Sequence, residues 1–375
     1  MKITPQIKIS PANKLKLKQL LFICIYWIAA IRLTILQNFF GFHGISGELV
    51  TTKFISSLQD SLTLATAAGL GFGLITGVGE LFVFPKKFYH KPFLILNFYK
   101  LIVYLISIIF VSIVTIVSYE IMETDSDFLG IIYHTWDVLT STGFYSLLSS
   151  GLLLSLGINF ILSMQNRIGF GNFVPMLLGR YHKPREEQRI FLFIDLKSSS
   201  FTAEKLGHID YSRLIQTCFR ELSDIIAEYN GEIYQFVGDE AVITWKTKNR
   251  HNYWNAVMLF NKFKETLERK NHIYYHKFGV MPQFKGAVNS GNVMVAEVGG
   301  FLKTEIAYHG DVLNTASRMM EFCKPKQTDL LISETVFENI PNDNNSLIFS
   351  NIGEIKLRGK NTQLVVYGCE INNNS

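Results

Sequence analysis

The sequence predicts two parts in series: an N-terminal four-helix transmembrane bundle and a C-terminal α+β domain with a β-α-β-β-α-β, ferredoxin-like core. Three observations predict it. Four long apolar stretches fall within the first 164 of the 375 residues. From residue 189 onward, short β-patterned runs alternate with helical ones. Between the two lies a stretch containing Gly169, Gly171, Pro175 and Pro184, which argues against one unbroken helix through the join.

A spanning helix needs about 20 mostly apolar residues. Residues 20–40, 61–83, 97–119 and 144–164 qualify, which assigns 1–164 to the membrane. The first stretch follows Lys14, Lys16 and Lys18 and has no small-residue cleavage site, so it reads as a span and not as a signal peptide. The N-terminus, the 84–92 loop and the segment with Arg167, Arg180, Lys183 and Arg185 are basic. Residues 120–143 carry Glu120, Glu123, Asp125, Asp127 and Asp137 and no Lys or Arg. Positive charge marks the cytoplasmic side, so both termini and the C-terminal domain are expected in the cytoplasm, on the inner face of the cell membrane. Arg32 lies inside the first span and either snorkels or pairs within the bundle. Ala65, Gly69, Gly73 and Gly77 repeat every four residues and permit close helix approach, within one chain or between two.

The net charge of +5 is modest, and no basic stripe with interleaved aromatics accompanies it, so no nucleic-acid partner is expected. Cys24, Cys218, Cys323 and Cys369 lack CxxC spacing and read as reduced packing residues.

Residues 165–188 are read as a linker placed to carry strain or rotation, 189–370 as the soluble domain and 371–375 as a tail. "RIFLFIDL" is a continuous apolar run ending near Asp195, as expected for a buried central strand. Tyr211, Leu214, Ile215, Cys218, Phe219, Leu222, Ile225 and Ile226 form a helical face stopped by Asn230-Gly231. "IYQFVGDEAVITW" reads as a hairpin, and residues 252–270 as a second helix. "MPQFKGAVNSGNVMVAEVGG" reads as strand, Ser290-Gly291 turn, strand. "TEIAYHG" is a further strand and "DVLNTASRMMEFC" a helix. "DLLISETVFENI" and "EIKLRGKNTQLVVYGCE" close the domain.

Asp195 ends the first strand and Asp239 sits in the hairpin turn, and in this topology those elements are neighbours. Either acid alone reads as a capping or turn residue. Together they would repel unless protonated or bridged by a cation, and hard oxygen ligands favour Mg²⁺ or Mn²⁺. Ser198, Ser199 and Ser200 follow directly, and such small residues can bring backbone N–H groups to a phosphate chain.

From about Ile190 to Glu370 the sequence resembles the catalytic domain of class III nucleotidyl cyclases. "FIDLKSSS", "YQFVGDEAV", "GDVLNTASRM" and "IKLRGK" carry the resemblance, in order and at domain-scale spacing. It implies a two-metal mechanism, with Asp195, Asp239 and the backbone carbonyl of Leu196 holding two Mg²⁺ (or Mn²⁺). It makes Asn314 the ribose-orienting residue and Arg318, four residues on and on the same helix face, the transition-state arginine. It makes Arg358 the phosphate-binding cation, with Lys360 as a substitute. It also implies a head-to-tail homodimer, because the family's site takes its carboxylates from one domain and its Asn, Arg and base-reading residues from another.

Three positions depart from the family pattern: Ser198, Gln235 and Ala307. Ser198 stands where many members have a glycine, and its small size is expected to be tolerated. Adenylyl-selective members carry a lysine where Gln235 stands, and an acid, Thr or Ser where Ala307 stands. A glutamine amide both donates and accepts, so Gln235 could meet adenine, guanine or a pyrimidine, and Ala307 offers no side-chain bond. ATP is the expected substrate, with GTP or a pyrimidine nucleotide as alternatives. A catalytically impaired homologue serving as a membrane receptor or scaffold is the alternative from another class. "VGDEA" also resembles the diguanylate cyclase signature, but Val237 and Ala241 depart from it. No ligand for the membrane half is legible.

Overall fold

The computed structural model describes residues 10–41, 58–84, 92–123, 127–300, 302–341, 346–360 and 363–371. Contacts divide the chain into two compact units, one of residues 13–167 and one built mainly from residue 168 onward.

The first unit contains α1 (Pro11–Gly41), α2 (Leu58–Val78), α3 (Phe93–Glu123), α4 (Phe128–Leu139) and α5 (Thr142–Ile168). Four of these are long and apolar enough to cross a membrane: Pro11–Gln37, Leu58–Val83, Leu94–Met122 and Thr142–Ile168. Ile23, Trp27, Phe72, Tyr104, Ile108 and Ile158 form the centre of the bundle. The small-residue stripe faces α1 of the same chain. A methyl group on Gly69 would come within 2.7 Å of Ile28 Cα, and one on Gly73 within 2.7 Å of Cys24 Cα. Arg32 is exposed beside Leu58 and Leu62 at the start of α2.

Two features of this unit are not apparent from the hydropathy pattern. The acidic 120–143 segment contains the helix α4, capped by Asp127, whose side chain accepts from the Gly130 N–H at 2.9 Å. Also, α2 ends in a π turn, Gly79–Val83, whose Glu80 accepts from Lys100 Nζ at 2.6 Å and from the Tyr104 hydroxyl at 2.5 Å. Lys100 and Tyr104 are both buried, so the pair satisfies charge inside an apolar bundle.

The second unit begins with α6 (Phe170–Leu177), which Gly169, at φ 90°, separates from the preceding helix. Then follow β1 (Arg185–Leu196), α7 (Ser199–Ile226), β2 (Glu232–Val237), β3 (Glu240–Lys246), α8 (His251–Arg269), α9 (Asn271–Phe278) and β4 (Phe284–Gly300). The remainder is β5 (Lys303–His309), α10 (Asp311–Met320), β6 (Leu330–Ser333), α11 (Glu334–Asn339), β7 (Leu347–Ile355) and β8 (Leu364–Ile371). The sheet runs β2-β3-β1-β4-β6-β8-β7, with β5 paired to β4. Its first four members, β2-β3-β1-β4, are the expected ferredoxin-like arrangement, with β1 antiparallel to both β3 and β4.

The central position of β1 explains its unbroken apolar run. Ile190, Leu192 and Ile194 pack with Leu214, Cys218, Leu222 and Phe260 from α7 and α8. Phe191 and Phe193 pack on the other face, with Val312, Ala316 and Met319 of α10. Burying both faces removes the alternation that a half-exposed strand would show. All four cysteines are free and buried.

The expected turn at Ser290-Gly291 is absent. β4 is continuous there, with Ser290 paired to Ile190 and Gly291 to Arg189. Gly291 serves packing: a methyl group on it would come within 2.7 Å of Val312 Cγ2, so its absence lets α10 lie close on the strand. The reversal comes nine residues later, after Gly299-Gly300, where Gly299 adopts φ 130°.

Candidate active site

The register of the sheet gathers one set of residues around the end of β1. Asp195 lies opposite Glu240 on β3 and opposite Lys285 on β4. Gly238, at φ 60°, turns the β2–β3 hairpin so that Asp239 reaches the same edge. Lys285 Nζ sits 3.1 Å from Asp195 Oδ2. Burial pushes the Asp195 carboxyl up, the Lys285 ammonium draws it down by hydrogen bond and charge, and Asp239 adds to the rise; the net result lies above its ordinary value. Burial and then the Asp195 and Asp239 charges raise Glu240 as well. The Tyr211 hydroxyl faces Asp239, and burial followed by the Asp239 charge pushes it up to about 12.

Asp239 Oδ2 is buried and has no hydrogen-bond partner. A buried carboxylate oxygen left unpaired is costly, so this atom is matched to a cation. Asp195 and Asp239 repel each other, which a divalent ion would reverse. Among the described residues no three His, Cys, Asp or Glu side chains converge into a metal cage. Two carboxylates completed by a backbone carbonyl and phosphate oxygens suit Mg²⁺, which is held through one or two carboxylates plus substrate.

The serines continue this edge. Ser198 adopts a left-handed conformation (φ 54°) immediately before α7, and its carbonyl accepts from the Thr202 N–H at 3.0 Å. Ser198 and Ser200 are exposed and Ser199 is half-buried. Lys197 turns away from the serines to pair with Asp329, which Lys264 also holds at 2.5 Å.

A second set collects along α10. Asn314 and Arg318 lie one turn apart. Arg318 Nη1 donates to the Arg358 carbonyl. Lys360 Nζ donates to Asp311 Oδ2 at 2.5 Å and to Thr315 Oγ1 at 2.6 Å. The 358–360 turn is therefore fastened to α10 at two points. Among the described residues no hydrogen bond or ion pair joins this set to the carboxylate set.

Gln235 and Ala307 form a third place. Gln235 is exposed on β2, and Ala307 on β5 pairs with Ala296 of β4. Their chain neighbours Tyr234 and Tyr308 meet edge-on, ring centres 4.8 Å apart, which ties the two strands together within one chain. Beneath them Arg189, wholly buried, bonds Glu187 and Glu232 and lies 5.1 Å from the centre of the Tyr308 ring.

The place of Lys285, Tyr211 and Glu240 beside the acids was not legible in the sequence. For Lys285 and Glu240 the signal is cross-strand register, which exists only once β1 is aligned with β3 and β4. Tyr211, legible only as part of the α7 face, comes near Asp239 once that helix packs on the sheet.

In this ferredoxin-like sheet Asp195 lies at the end of the first strand, Asp239 sits in the adjoining hairpin turn, and the Asn/Arg helix follows β5. The profile of the adenylate and guanylate cyclase catalytic domain matches residues 181–368, and the chain belongs to that family. It is 30% identical over 225 residues to adenylate cyclase 2 of Rhizobium meliloti (strain 1021), covering 59% of each chain. It is 24% identical over 181 residues to adenylate cyclase 1 of the same organism, covering 47% of this chain and 26% of that protein. The chain thus spans at most 59% of the length of these relatives. A solved bacterial light-regulated adenylyl cyclase shares the fold at 18% identity and a TM-score of 0.52, over 62% of this chain and 66% of that one.

Proposed function

We propose that the protein is a membrane-anchored nucleotidyl cyclase that converts a nucleoside triphosphate, foremost ATP, to its 3′,5′-cyclic monophosphate and pyrophosphate. The observation that carries this reading is the Asp195–Asp239 pair, with one buried and unsatisfied carboxylate oxygen, in a domain of this family. The 3′-oxygen attacks the α-phosphorus, a new P–O bond closes the ring, and the bond to pyrophosphate breaks.

Asp195, Asp239 and the Leu196 carbonyl would hold two Mg²⁺ or Mn²⁺. When bound, such ions lower the pKa of a ribose hydroxyl and neutralise the leaving pyrophosphate. The turn at Ser198, Ser199 and Ser200 offers backbone N–H groups to the phosphates. Asn314 orients the ribose. Arg318 presents a planar fork to the phosphoryl oxygens, a geometry lysine cannot reproduce. Arg358 and Lys360 supply positive charge to the triphosphate. Gln235 reads the base edge with its amide, and Ala307 leaves the opposite side without a side-chain partner.

The active form in this reading is a head-to-tail homodimer with two equivalent sites. The lack, among the described residues, of any hydrogen bond or ion pair between the carboxylate set and the Asn314–Arg318 set supports it. So do the exposed Phe236 and Val237 beside Gln235, at 43% and 54%. The spans anchor the dimer in the cell membrane with both termini and the catalytic domain in the cytoplasm, an orientation supported by the basic 84–92 loop and the acidic 120–143 segment.

The test is the full-length protein with Mn²⁺ and each of ATP, GTP, CTP and UTP, scored for cyclic product. ATP should give the highest turnover. Folded, dimeric protein that cyclises none of the four overturns the reading. Preference for GTP would appear in the same assay, because the Gln235 amide can meet either purine edge.

A further inference from the structure

The segment that follows α5 has two faces and one sign of charge. From Gln165 to Arg185 it carries Arg167, Arg180, Lys183 and Arg185 and no Asp or Glu. Gly169 breaks the helix, and α6 begins at Phe170, directly after α5 ends at Ile168. Asn172 and Phe173, on one side of α6, are buried. Val174 and Leu177, with Leu178 just past the last turn, stand at i, i+3 and i+4 on the other side. They are 49%, 69% and 78% exposed. Arg167, Lys183 and Arg185 are exposed as well. Arg180 reaches Glu187 at 3.6 Å with its side chain still 46% exposed. A short row of apolar side chains flanked by cations is what an interfacial helix presents to a bilayer.

We propose that α6 is seated in the surface of the bilayer, in the leaflet where α5 ends. Val174, Leu177 and Leu178 enter the boundary between headgroups and acyl chains, and Arg167, Lys183 and Arg185 meet anionic phospholipid headgroups. The inference rests on the reading that α5 spans the membrane. Chain continuity names this occupant. A span ending at Ile168 leaves the next residues at the headgroups. An eight-residue helix is too short to hold a membrane alone, but the span before it keeps it at high local concentration there. Charge selects against the other occupant, a second copy of this chain. Two such segments would meet cation to cation, with no acid between Gln165 and Arg185 of either to offset them. An anionic leaflet attracts the same cations. The helix also touches the catalytic domain, where a methyl group on Gly171 would come within 2.8 Å of Glu232 Oε1. The seat in the leaflet therefore fixes the point at which the chain enters that domain.

The experiment uses the full-length protein in nanodiscs of phosphatidylcholine and phosphatidylglycerol. A nitroxide is attached at Leu177→Cys, at Leu153→Cys in α5 or at Ile348→Cys in β7, all three exposed positions. The native cysteines are buried, so the label goes to the introduced one. Collisions with oxygen, which concentrates in lipid, and with a polar nickel chelate, which stays in water, report the depth of each label. The Leu177 label should lie about 5–10 Å into the boundary between headgroups and acyl chains. The Leu153 label should lie deeper and the Ile348 label in water. Omitting phosphatidylglycerol, or combining Arg167→Gln with Lys183→Gln, should move the Leu177 label toward water and leave the Leu153 label in place. A Leu177 label as open to the chelate as the Ile348 label overturns the proposal. So does one shielded from the chelate without a gain in oxygen collisions, because protein then covers the face. A depth that is the same without phosphatidylglycerol overturns it too, because the anionic headgroup is then not the partner. A Leu153 label open to the chelate would instead strike the membrane-spanning reading itself, so the two failures are told apart.

Discussion

Arg189 and Glu232 join the central strand to the edge strand that carries Gln235: Nη1 and Oε2 are 2.8 Å apart, and the guanidinium is fully removed from water. Glu187 holds the other side of the guanidinium at 2.8 Å. Glu232 is also where the entering chain rests. A methyl group on Gly171 in α6 would come within 2.8 Å of Glu232 Oε1. The segment that follows the last apolar helix thus touches the ion pair beneath the proposed base-reading residues. Removing one partner of a buried pair leaves an uncompensated charge, at a cost of about 3–5 kcal/mol. Arg189→Met should therefore lower the stability of the catalytic domain by that order, and Glu232→Gln by less, since Glu187 still neutralises the guanidinium. Denaturant unfolding of the two variants checks this. Wild-type stability in Arg189→Met would show that the pair does not hold the strands.

Asp195→Ala and Asp239→Ala should each reduce cyclase turnover to background while leaving the fold intact. Each carboxylate is placed to hold the ions that activate the hydroxyl nucleophile. Turnover and circular dichroism are measured together. Activity within about threefold of wild type in either variant removes the two-metal assignment, because a group acting only in the transition state lowers kcat directly.

Asp195→Ala and Arg318→Ala chains should be inactive separately and active when mixed. In a mixed dimer one site collects both lesions and the other collects neither. Co-expression with two affinity tags isolates the heterodimer for assay. An inactive heterodimer would place complete sites within single chains.

Gln235 should govern base selectivity more than rate. With Ala307 contributing nothing, discrimination rests on one amide and backbone groups, worth about 1–3 kcal/mol, or roughly tenfold to a hundredfold. Gln235→Glu should shift the ratio of kcat/KM for ATP and GTP toward GTP, and Gln235→Lys toward ATP. If both variants leave the ratio unchanged, Gln235 is a surface residue.

Asp329 should contribute to acid lability. Partial burial alone would raise its carboxyl, but the hydrogen bonds and charges of Lys197 and Lys264 outweigh burial and hold it below its ordinary value. A carboxyl depressed in the folded state adds stability above the unfolded pKa, about 4, and loses it as pH falls through the folded value. Asp329→Asn should be less stable than wild type at neutral pH, and the gap should close as the solution is acidified below that range. A gap independent of pH would mean that the residue acts through packing and not through charge.

Much of this was legible in the sequence, for identifiable reasons. β1 was clear because its apolar run is continuous, and the helical faces of α7 and α8 because their buried residues repeat at helical spacing. The acids at 195 and 239 were readable because strand order alone brings β1 beside the hairpin. What escaped depended on side chains meeting across elements. Gly291 suggested a turn, but its smallness accommodates Val312 from a helix twenty residues further on. Lys285 looked like an ordinary strand residue until register placed it against Asp195. Lys100 was a lone charge in an apolar run until α2 supplied Glu80. The helix α4 was masked by the acids around it, which drew attention to charge and away from periodicity.

The glycine stripe of α2 is occupied by α1 of the same chain, main chain against main chain. At Gly69 and Gly73 the two backbones meet with no side chain between them, so α1 and α2 form the stiff half of the bundle. Relative movement within this unit is then left to α3 and α5. Lys100 and the Tyr104 hydroxyl tie α3 to the stiff half at Glu80, and the Tyr26 hydroxyl ties α5 to it at the Leu154 carbonyl, 2.8 Å away. A stimulus reaching this unit would register as a shift of α3 against a fixed plate, with the π turn at Glu80 as the bearing.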